Sequence, residues 1–331
     1  MQMEPIKQIR WGIIGCGDVT EKKSGPAFQL VPGSSLVAVM RRNAALARDY
    51  AERHHVEKWY DDAGRLIDDP AVNAIYVATP PSSHEEYVTR AVRAGKPVYV
   101  EKPMSVDSAS AGRMSQAARQ AGVRLCVAHY RRAQPYFQAI KKILDDQVLG
   151  TIRTIRLDLF KKMYSPGELA LPGNRWRVDP AISGGGIFHD LAPHQLDILY
   201  YFFGEVSRAT GIATNQAGKY AGADHVSGSI LFKNGIVCTG CWCFNVREQD
   251  EVDLCTITGT GGTLSFSFFS DQVFTIHAGE REETSRFIPP VHVQQPLIEK
   301  VVQYFRGEAP NPCSGEDGVA VMEMIDAIAT L

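Results

Sequence analysis

The sequence predicts an α/β protein with two domains: a doubly wound parallel sheet, then an α+β domain with a large, mainly antiparallel open sheet. The length of 331 residues supports two domains, because one hydrophobic core rarely organises more than about 250–300 residues. Short apolar runs alternate with helix-like stretches up to about residue 125, and beyond it strand-like runs follow one another directly. We therefore expect domains over residues 1–125 and 126–331.

The parallel sheet is predicted from five apolar runs rich in Val, Ile or Tyr, which are typical of strands buried on both faces. Between these runs, residues 44–55 and 83–95 have the composition of helices. The second of them ends at Gly95, a common helix stop. The predicted strands are 9–15, 36–42, 74–79, 97–103 and 124–129.

The second domain begins with a helix-like stretch at 135–150 and a half-buried strand at 151–160, where apolar and polar side chains alternate. The dipeptide Asn234-Gly235, between two apolar runs, is a strong signal for a hairpin turn. Because the later runs follow without crossover helices, we expect a largely antiparallel sheet. These later runs are 225–246, 252–268 and 273–279.

Two helices are expected to close the chain, near 296–306 and 316–330. Ser314 followed by Asp317 resembles a capping arrangement for the second helix. We also expect that this C-terminal helix can pack back on the first domain.

Composition argues against several kinds of partner. A net charge of −2 disfavours nucleic acid, because phosphate binding needs a basic surface. No apolar run approaches the roughly 18 residues of a membrane span, and the start of the chain lacks the apolar stretch of a signal peptide. Seven cysteines, an odd number, fit a reducing cytoplasm better than a disulfide framework. We expect a cytoplasmic protein that binds neither nucleic acid nor membrane.

One cysteine cluster, "CTGCWC", could suggest a zinc site, because thiolates bind zinc. Cys241 and Cys243 share one strand face while Cys238 points to the other, and a fourth ligand with suitable spacing is absent. We interpret all three as packing cysteines and expect no metal.

A glycine-rich turn follows the first predicted strand. In "GIIGCGDVT", Gly15, Gly17 and Thr20 have the spacing of G-x-G-x-x-G/A, the fingerprint of a Rossmann dinucleotide-binding domain. Gly15 permits the tight turn, and Gly17 lets the backbone approach a pyrophosphate at the start of the next helix. Thr20 replaces the usual third Gly or Ala, so we expect slightly looser helix packing there. The predicted cofactor-binding residues of this turn are Gly15, Cys16, Gly17, Asp18, Val19 and Thr20.

The second strand ends in "VAVMRRN", where such domains usually carry an acid that holds a ribose hydroxyl. Arg41 stands there instead, followed by Arg42 and Asn43. A guanidinium pairs with a phosphate through two parallel bonds, which favours a 2′-phosphate. We therefore expect NADP(H) to be preferred, with NAD(H) possible. The alternative is that Arg41 is a solvated cation at a strand end and the two cofactors bind alike.

Four motifs together resemble the Gfo/Idh/MocA family of nicotinamide-dependent oxidoreductases, named for glucose-fructose oxidoreductase and inositol dehydrogenase. Besides "GCGDVT", they are "ATPPSSH" (78–84), "VEKP" (100–103) and "GGGIFHDLAPHQLD" (184–197). The resemblance covers nearly the whole chain, including the antiparallel second domain. It implies hydride transfer at a nicotinamide ring but does not define the substrate.

By this resemblance Lys102 lies beside the nicotinamide and the reacting carbinol, and Asp190 and His194 match the family's D-x-x-x-H pair. The spacing agrees, because residues four apart share a helix face and Pro193 implies a helix start a few residues earlier. An ionised Asp190 could then orient the imidazole, which suits proton transfer. The alternatives are an ordinary helix-surface pair, two metal ligands without a third, and a solvated Lys102 beside Glu101.

The resemblance extends to further cofactor and substrate residues. "AHYRRAQP" is similar to the segment that links the family's two domains, and "NRWRVDP" to stretches of members that act on pyranose sugars. For the latter, the alternative is a structural loop whose arginines pair with Asp179 or Glu168. The implied cofactor-binding residues are Thr79, Pro80, His84, Glu101, Lys102 and Arg131. The implied substrate-binding residues are Lys102, Tyr130, Lys162, Arg175, Trp176, Arg177, Asp190 and His194, with Tyr164 as a further candidate.

The favoured function is that of an NADP-dependent dehydrogenase or reductase acting on CH–OH groups of a sugar, cyclitol or related polyol. The main alternative is a non-catalytic regulatory protein of the same fold that senses a dinucleotide, and a methyltransferase is disfavoured because it leaves "EKP" unexplained. We also expect a homodimer or homotetramer formed through the second sheet, because "TLSFSFFS" (263–270) carries apolar residues on both faces.

Overall fold

The computed structural model describes residues 7–329, which divide into two units, each with its own sheet. The first unit combines the chain up to Arg131 with Pro290–Val319, and the second combines Arg132–Pro289 with the residues from Ala320 onward. Both units are therefore discontinuous in sequence. This differs from the expected continuous domains, because the segment around residues 290–319 supplies side chains to the core of the first unit.

The sheet of the first unit contains six parallel strands in the described part of the chain. They are β1 (Ile9–Ile14), β2 (Ser34–Met40), β3 (Lys58–Tyr60), β4 (Ala74–Val77), β5 (Val98–Val100) and β6 (Leu125–Val127). Their order is β3-β2-β1-β4-β5-β6, so the winding direction reverses between β1 and β4. Open α/β sheets bind ligands at the carboxyl end of the strands at this point. The predicted doubly wound sheet is confirmed.

Helices connect these strands, and polar side chains cap the N-termini of three of them. The helices are α1 (Asp18–Lys22), α2 (Ala27–Leu30), α3 (Ala44–Arg53), α4 (Ala63–Asp68), α5 (His84–Arg93) and α6 (Ser108–Ala121). Asn43, Asp62 and Asp107 each accept a hydrogen bond from a first-turn amide of α3, α4 and α6 respectively. After α5 the chain turns at Gly95, whose φ of 71° favours glycine.

The second unit has an eight-stranded, mainly antiparallel sheet within the described residues, as predicted. Its strands are β7 (Ile152–Lys162), β8 (Val206–Thr214), β9 (His225–Phe232), β10 (Val237–Val246), β11 (Val252–Gly259), β12 (Thr263–Phe266), β13 (Val273–Ala278) and β14 (Arg281–Arg286). The order is β14-β13-β12-β11-β7-β10-β9-β8, and β7 and β10 pair in parallel. Asn234-Gly235 forms the predicted hairpin turn between β9 and β10.

Two helices pack on one face of this sheet: α7 (Pro135–Asp145), through Phe137 on Phe266 of β12, and α11 (Ile187–Phe203). Between β7 and the last of these lie the short helices α8 (Pro166–Ala170), α9 (Pro172–Arg175) and α10 (Pro180–Ser183). The long helix α11 is buried almost throughout, and Phe188 packs edge-to-face on Trp242 of β10 with ring centroids 5.0 Å apart. The Trp242 indole also donates to Gln195 Oε1 over 2.7 Å, so the helix is held by both apolar and polar contacts. Within residues 7–329, the structure has no helix with the length and hydropathy needed to cross a bilayer.

Two helices close the chain, α12 (Gln295–Arg306) and α13 (Gly315–Ile328). In the first unit, Phe305 of α12 packs on Trp11 of β1 with ring centroids 5.5 Å apart. The predicted cap of α13 is confirmed, because Ser314 Oγ accepts from the Asp317 amide over 3.1 Å and Asp317 Oδ2 accepts from the Ser314 amide over 2.7 Å. Residue 330, the predicted end of α13, lies outside the described residues.

The outer face of the second sheet is defined by strand register. Ile212, Ser227, Cys241, Asp158 and Leu254 pair in one row across five strands, so their side chains point to the same face. Four aliphatic side chains of this outer face are exposed: Ile212 (70%), Leu231 (39%), Val237 (40%) and Leu254 (42%).

The expectation for "TLSFSFFS" was wrong in detail. The strand β12 ends at Phe266, and its apolar residues Leu264 and Phe266 are buried on one face while Thr263 and Ser265 occupy the other. The exposed apolar side chains of the outer face come from β8, β9, β10 and β11 instead.

Candidate active site

The turn after β1 can be made only by glycine at its first position. Gly15 has a φ of 93°, and a Cβ built there would lie 2.7 Å from Thr79 Cγ2. The amides of Gly15 and Cys16 both donate to the Met40 carbonyl, over 2.9 and 3.1 Å. The turn is thereby fixed against the loops that follow β4 and β2.

Gly17, at the start of α1, is open on the side where a side chain would project. A Cβ there would find its nearest heavy atom, the Gly15 carbonyl oxygen, at 3.9 Å. Protein packing therefore does not require glycine here, whereas close approach of a pyrophosphate would. The residues of the turn fit a dinucleotide.

Thr20 does not loosen the packing, so that expectation was wrong. Its side chain is fully buried, and its hydroxyl accepts from the Gly17 amide over 2.9 Å and donates to the Gly17 carbonyl over 2.8 Å. The threonine stabilises the turn from within, which a third glycine or an alanine could not do.

The remaining residues of the turn differ in exposure. The Cys16 side chain is buried, and this burial raises the pKa of its thiol to about 12, so the thiol is neutral and its backbone alone faces the turn. Asp18 is exposed and Val19 is half-buried.

Arg41 directly follows β2, at the position where an acid is usual. Its backbone amide donates to the Tyr60 carbonyl over 3.1 Å, which fixes the backbone at this point. Within residues 7–329, the structure gives the guanidinium groups of Arg41 and Arg42 no hydrogen bond and no ion pair. Asn43 is engaged, because its side-chain oxygen accepts the Leu46 amide over 3.1 Å. The charge of Arg41 acts on Cys16 of the glycine turn, and no ion pair within the described residues engages it.

The turn after β4 is held by a buried histidine. His84 is fully buried, and its ring nitrogens lie 2.7 Å from the Thr79 carbonyl and 3.1 Å from the Met104 carbonyl. Burial lowers the pKa of His84. Thr79 and Pro80 are half-buried, and the Ser83 hydroxyl donates to Thr79 Oγ1 over 2.9 Å. His84 thus stabilises the turn at Thr79 and Pro80 through these two contacts.

The "EKP" motif follows β5. The carboxylate of Glu101 is buried and accepts from the Tyr76 hydroxyl, from Gln294 Nε2 over 2.6 Å and from the Lys102 backbone amide over 3.1 Å. Lys102 is half-buried. At the end of the first unit, Tyr130 and Arg131 are buried, and the Arg131 guanidinium lies 5.5 Å from the Tyr130 ring centroid.

In the second unit, Asp190 and His194 lie on α11 and both are buried. The helix begins at Ile187, six residues before Pro193, so Asp190 is in its first turn. A carboxylate is stabilised there by the positive end of the helix dipole. Arg177 Nε donates to Asp190 Oδ2 over 2.7 Å, which orients the carboxylate further.

Arg177 is the centre of a small cluster that includes the predicted Trp176. Its guanidinium lies 4.6 Å from the Trp176 ring centroid and donates to the Gly173 carbonyl. Tyr164 is near the same ion pair: burial raises the pKa of its hydroxyl, Arg177 lowers it and Asp190 raises it. The structure therefore brings Tyr164, Trp176, Arg177 and Asp190 together.

Lys162 and Arg175 are not part of this cluster around Arg177. Lys162 Nζ lies 3.4 Å from a carboxylate oxygen of Glu248 and 4.0 Å from one of Glu168, and Arg175 is exposed. Asp179 accepts an amide at the start of α10. Among the described residues, Arg177 forms its ion pair with Asp190 and not with Asp179 or Glu168.

An aromatic side chain also contacts His194. Phe269 packs edge-to-face on the imidazole, with ring centroids 5.7 Å apart and an interplanar angle of 74°. The loop that carries Phe269 is held by Asp253, whose carboxylate accepts three consecutive amides of residues 268–270 over 2.6–3.1 Å. The His194 imidazole is therefore contacted by an apolar ring on a loop that Asp253 holds in place.

The cysteines of "CTGCWC" divide as the strand alternation predicts. Cys238 is buried on the inner face, while Cys241 lies on the outer face, 3.9 Å from His225 Nε2. The described residues contain no group of three or more His, Cys, Asp or Glu side chains arranged to hold a metal ion.

Both units match described protein families. Residues 9–129 match the oxidoreductase family with an NAD-binding Rossmann fold, and residues 137–265 match the Gfo/Idh/MocA C-terminal domain. The chain belongs to the Gfo/Idh/MocA family of oxidoreductases. The resemblance seen in the sequence is confirmed.

Individual relatives agree with the family. The chain is 43% identical to an oxidoreductase from Formosa agariphila, over 96% of this chain and 98% of that protein. It is 27% identical to a 1,5-anhydro-D-fructose reductase from Ensifer adhaerens, over 94% of this chain and 92% of that protein. Its fold is similar to that of a levoglucosan dehydrogenase solved with NADH, with a TM-score of 0.87, 22% identity and coverage of 97% and 96%.

Membership of the Gfo/Idh/MocA family confirms the prediction of an oxidoreductase of the dehydrogenase or reductase type, with a nicotinamide-dinucleotide-binding Rossmann domain. Sequence reasoning missed Phe269, because "TLSFSFFS" was interpreted as one continuous strand. It also missed Tyr76 and Gln294, which contact Glu101. A buried tyrosine in a strand and a glutamine before a helix carry no local signal of such a contact.

Replacing Gly17 with alanine is expected to weaken dinucleotide binding at least about tenfold, or about 1.4 kcal/mol, without loss of stability. The added methyl group meets no protein atom closer than 3.9 Å but fills the space of the pyrophosphate. Thermal denaturation without ligand measures stability, and a fluorescence titration with NADPH measures the Kd.

Gly15→Ala is the matched control, because its methyl group would clash with Thr79 at 2.7 Å and its φ is strained. We expect this variant to lose thermal stability even without ligand. Native affinity for NADPH in Gly17→Ala would contradict the proposed approach of the phosphates.

Proposed function

We propose that this protein is an NADP-dependent dehydrogenase or ketoreductase that transfers a hydride between nicotinamide and a secondary alcohol or ketone of a sugar, cyclitol or related polyol. The observation that carries this proposal is the buried Asp190 of α11, which is paired with the half-buried Arg177, with the Trp176 indole beside the pair and His194 one helical turn further on. Small-molecule sites commonly combine aromatic surface with a few fixed polar groups, and polyols need both. The relative that reduces 1,5-anhydro-D-fructose supports a substrate of this class.

The chemistry assigned to the chain is proton transfer. A nicotinamide dinucleotide held by the glycine turn would supply the hydride-transfer chemistry. His194 takes the hydroxyl proton when an alcohol is oxidised and gives it back when a ketone is reduced. The Lys102 ammonium stabilises negative charge that develops on the carbinol oxygen. Asp190, in the first turn of α11, acts on the electrostatics of His194, and Arg177 keeps the carboxylate in position.

The preference for NADP rests on Arg41. Its backbone is fixed by the bond to Tyr60, and in the part of the chain that the structure describes its guanidinium has no acidic partner. A 2′-phosphate would supply that partner through charge-assisted hydrogen bonds. One or two such bonds, at roughly 1.5–3 kcal/mol each, correspond to about a ten- to thousandfold preference over NAD.

We further propose that the protein is a homodimer or homotetramer joined through the outer face of the second sheet. Exposed Ile212, Leu231, Val237 and Leu254 share that face. A sheet face with several aliphatic side chains is typically buried against another subunit.

Turnover should depend on His194 and Lys102. We expect His194→Ala and Lys102→Ala each to lower kcat at least about 10²-fold, the usual scale for a positioned proton-transfer group. The assay follows the absorbance of reduced nicotinamide with a panel of sugars and cyclitols that includes 1,5-anhydro-D-fructose.

The matched controls are His277→Ala and Lys142→Ala, whose side chains are 54% and 75% exposed. Both should retain native kcat. Near-native turnover in His194→Ala and Lys102→Ala would refute the assigned roles, and no turnover by the native protein with any member of the panel would refute the substrate class.

The Arg41→Asp variant should reverse the cofactor preference, because a carboxylate repels a 2′-phosphate and accepts bonds from ribose hydroxyls. The measurement is kcat/KM for NADP and NAD in the native and variant proteins. Arg48→Asp, on the exposed side of α3, changes the net charge equally and should leave the preference unchanged. A native preference for NAD would argue against this assignment.

Light scattering should give a multiple of the monomer mass of 36.5 kDa at micromolar concentration. Leu254→Lys should shift the protein toward the monomer, because a charge would be buried in the outer face. Leu46→Lys, at a similarly exposed leucine of the first unit, should not. A monomeric native protein would disprove the proposed assembly.

A further inference from the structure

A carboxylate lies in the core of the first unit, directly before Lys102. Glu101 is only 5% exposed, and its neighbours Tyr76 and Tyr99 are fully buried and stacked with ring centroids 5.1 Å apart. The Tyr76 hydroxyl and Gln294 Nε2 both donate to Glu101 Oε1, and the Lys102 backbone amide donates to Oε2. Each oxygen of this carboxylate is therefore oriented by donors from within the unit.

Such a group does not serve stability by itself. Removing a carboxylate from water is energetically unfavourable, and hydrogen bonds offset that cost only when their geometry is good. A tyrosine, a glutamine and a backbone amide meet that requirement here. A fully bonded buried network of this kind specifies one local arrangement. What it specifies is the direction of the backbone from which the Lys102 side chain extends.

Gln294 belongs to the segment that returns to the first unit ahead of α12. Its side chain is fully buried, its Oε1 accepts from the Tyr99 hydroxyl over 3.2 Å, and its backbone amide donates to the Lys23 carbonyl over 3.2 Å. His292 Nδ1 lies 2.7 Å from the Lys22 carbonyl. This segment therefore contacts both Glu101 and the end of α1, the helix that follows the glycine turn.

We propose that Tyr76 and Gln294 are positioning residues for Lys102: they orient the Glu101 carboxylate, and Glu101 holds the Lys102 amide. This inference rests on the proposed function of Lys102 in hydride transfer. Neither residue contacts the reacting atoms in this scheme. Their effect on the reaction passes through the backbone of Lys102.

The test is a double-mutant cycle in the full-length protein, with NADPH and the panel member that the native protein reduces fastest. Tyr76→Phe and Gln294→Met each remove one donor to Glu101. We expect each to lower kcat about tenfold, since a misplacement of about 1 Å can cost up to about 10²-fold. In the Lys102→Ala background the same changes should lower kcat less than about twofold, because effects that share one path are not additive.

A second measurement reports on position without turnover. Hydrogen exchange of the Lys102 amide should become at least about tenfold faster in Tyr76→Phe, while the amides of β1 keep their native protection. Ser115→Ala is the control, because its hydroxyl is also buried in the first unit and donates to another carboxylate, that of Glu316, over 3.0 Å. It should change neither kcat nor the exchange of the Lys102 amide. If Tyr76→Phe fails to fold, Gln294→Met supplies both measurements.

The outcomes separate the two proposals. Native turnover in Lys102→Ala contradicts the proposed function, whatever the exchange data show. An impaired Lys102→Ala combined with native kcat in Tyr76→Phe and Gln294→Met overturns only the positioning inference. Equal losses of kcat in both backgrounds, or unchanged exchange of the Lys102 amide, also overturn it. Non-additive losses together with faster exchange support it.

Discussion

The carbonyl oxygen of Met40 accepts two consecutive amides, those of Gly15 and Cys16. This shared bond joins the turn after β1 to the end of β2, so the open backbone at Gly17 and the cation of Arg41 are held in one framework. Gly15 also lies against Thr79, which brings the turn after β4 to the same place. Three loops at the carboxyl edge of the sheet thus depend on one backbone oxygen and one residue without a side chain.

Much of this framework could be predicted because it depends on local patterns. Apolar runs and glycine spacing indicate strands and the turn between them, since both follow from backbone geometry over a few residues. The role of Thr20 could not be read in this way, because the sequence gives its identity but not the direction of its hydroxyl. A helix near residues 296–306 was predicted, yet a local sequence pattern does not say which core receives the apolar face of a helix.

Long-range partners account for the rest of the candidate site. The spacing of Asp190 and His194 predicted a shared helix face, but Arg177, thirteen residues earlier, supplies the cation on Asp190. Gln294 reaches Glu101 across 193 residues of sequence. Contacts between residues so far apart produce no repeating pattern of residues in the sequence. They are determined by how the elements pack, which is why the motifs indicated a candidate site while the supporting residues escaped prediction.

The return of the chain to the first unit has a consequence for synthesis on the ribosome. The ring of Phe305 covers Trp11, and Gln294 completes the bonds of Glu101, so the first unit lacks part of its core until the segment after residue 290 has been made. Residues 132–289 are by then already available to fold. Closing a loop of this length is entropically unfavourable and slows folding. Until that segment has been made, Trp11 is incompletely covered, and transiently exposed apolar surface of this kind makes a nascent chain prone to aggregation.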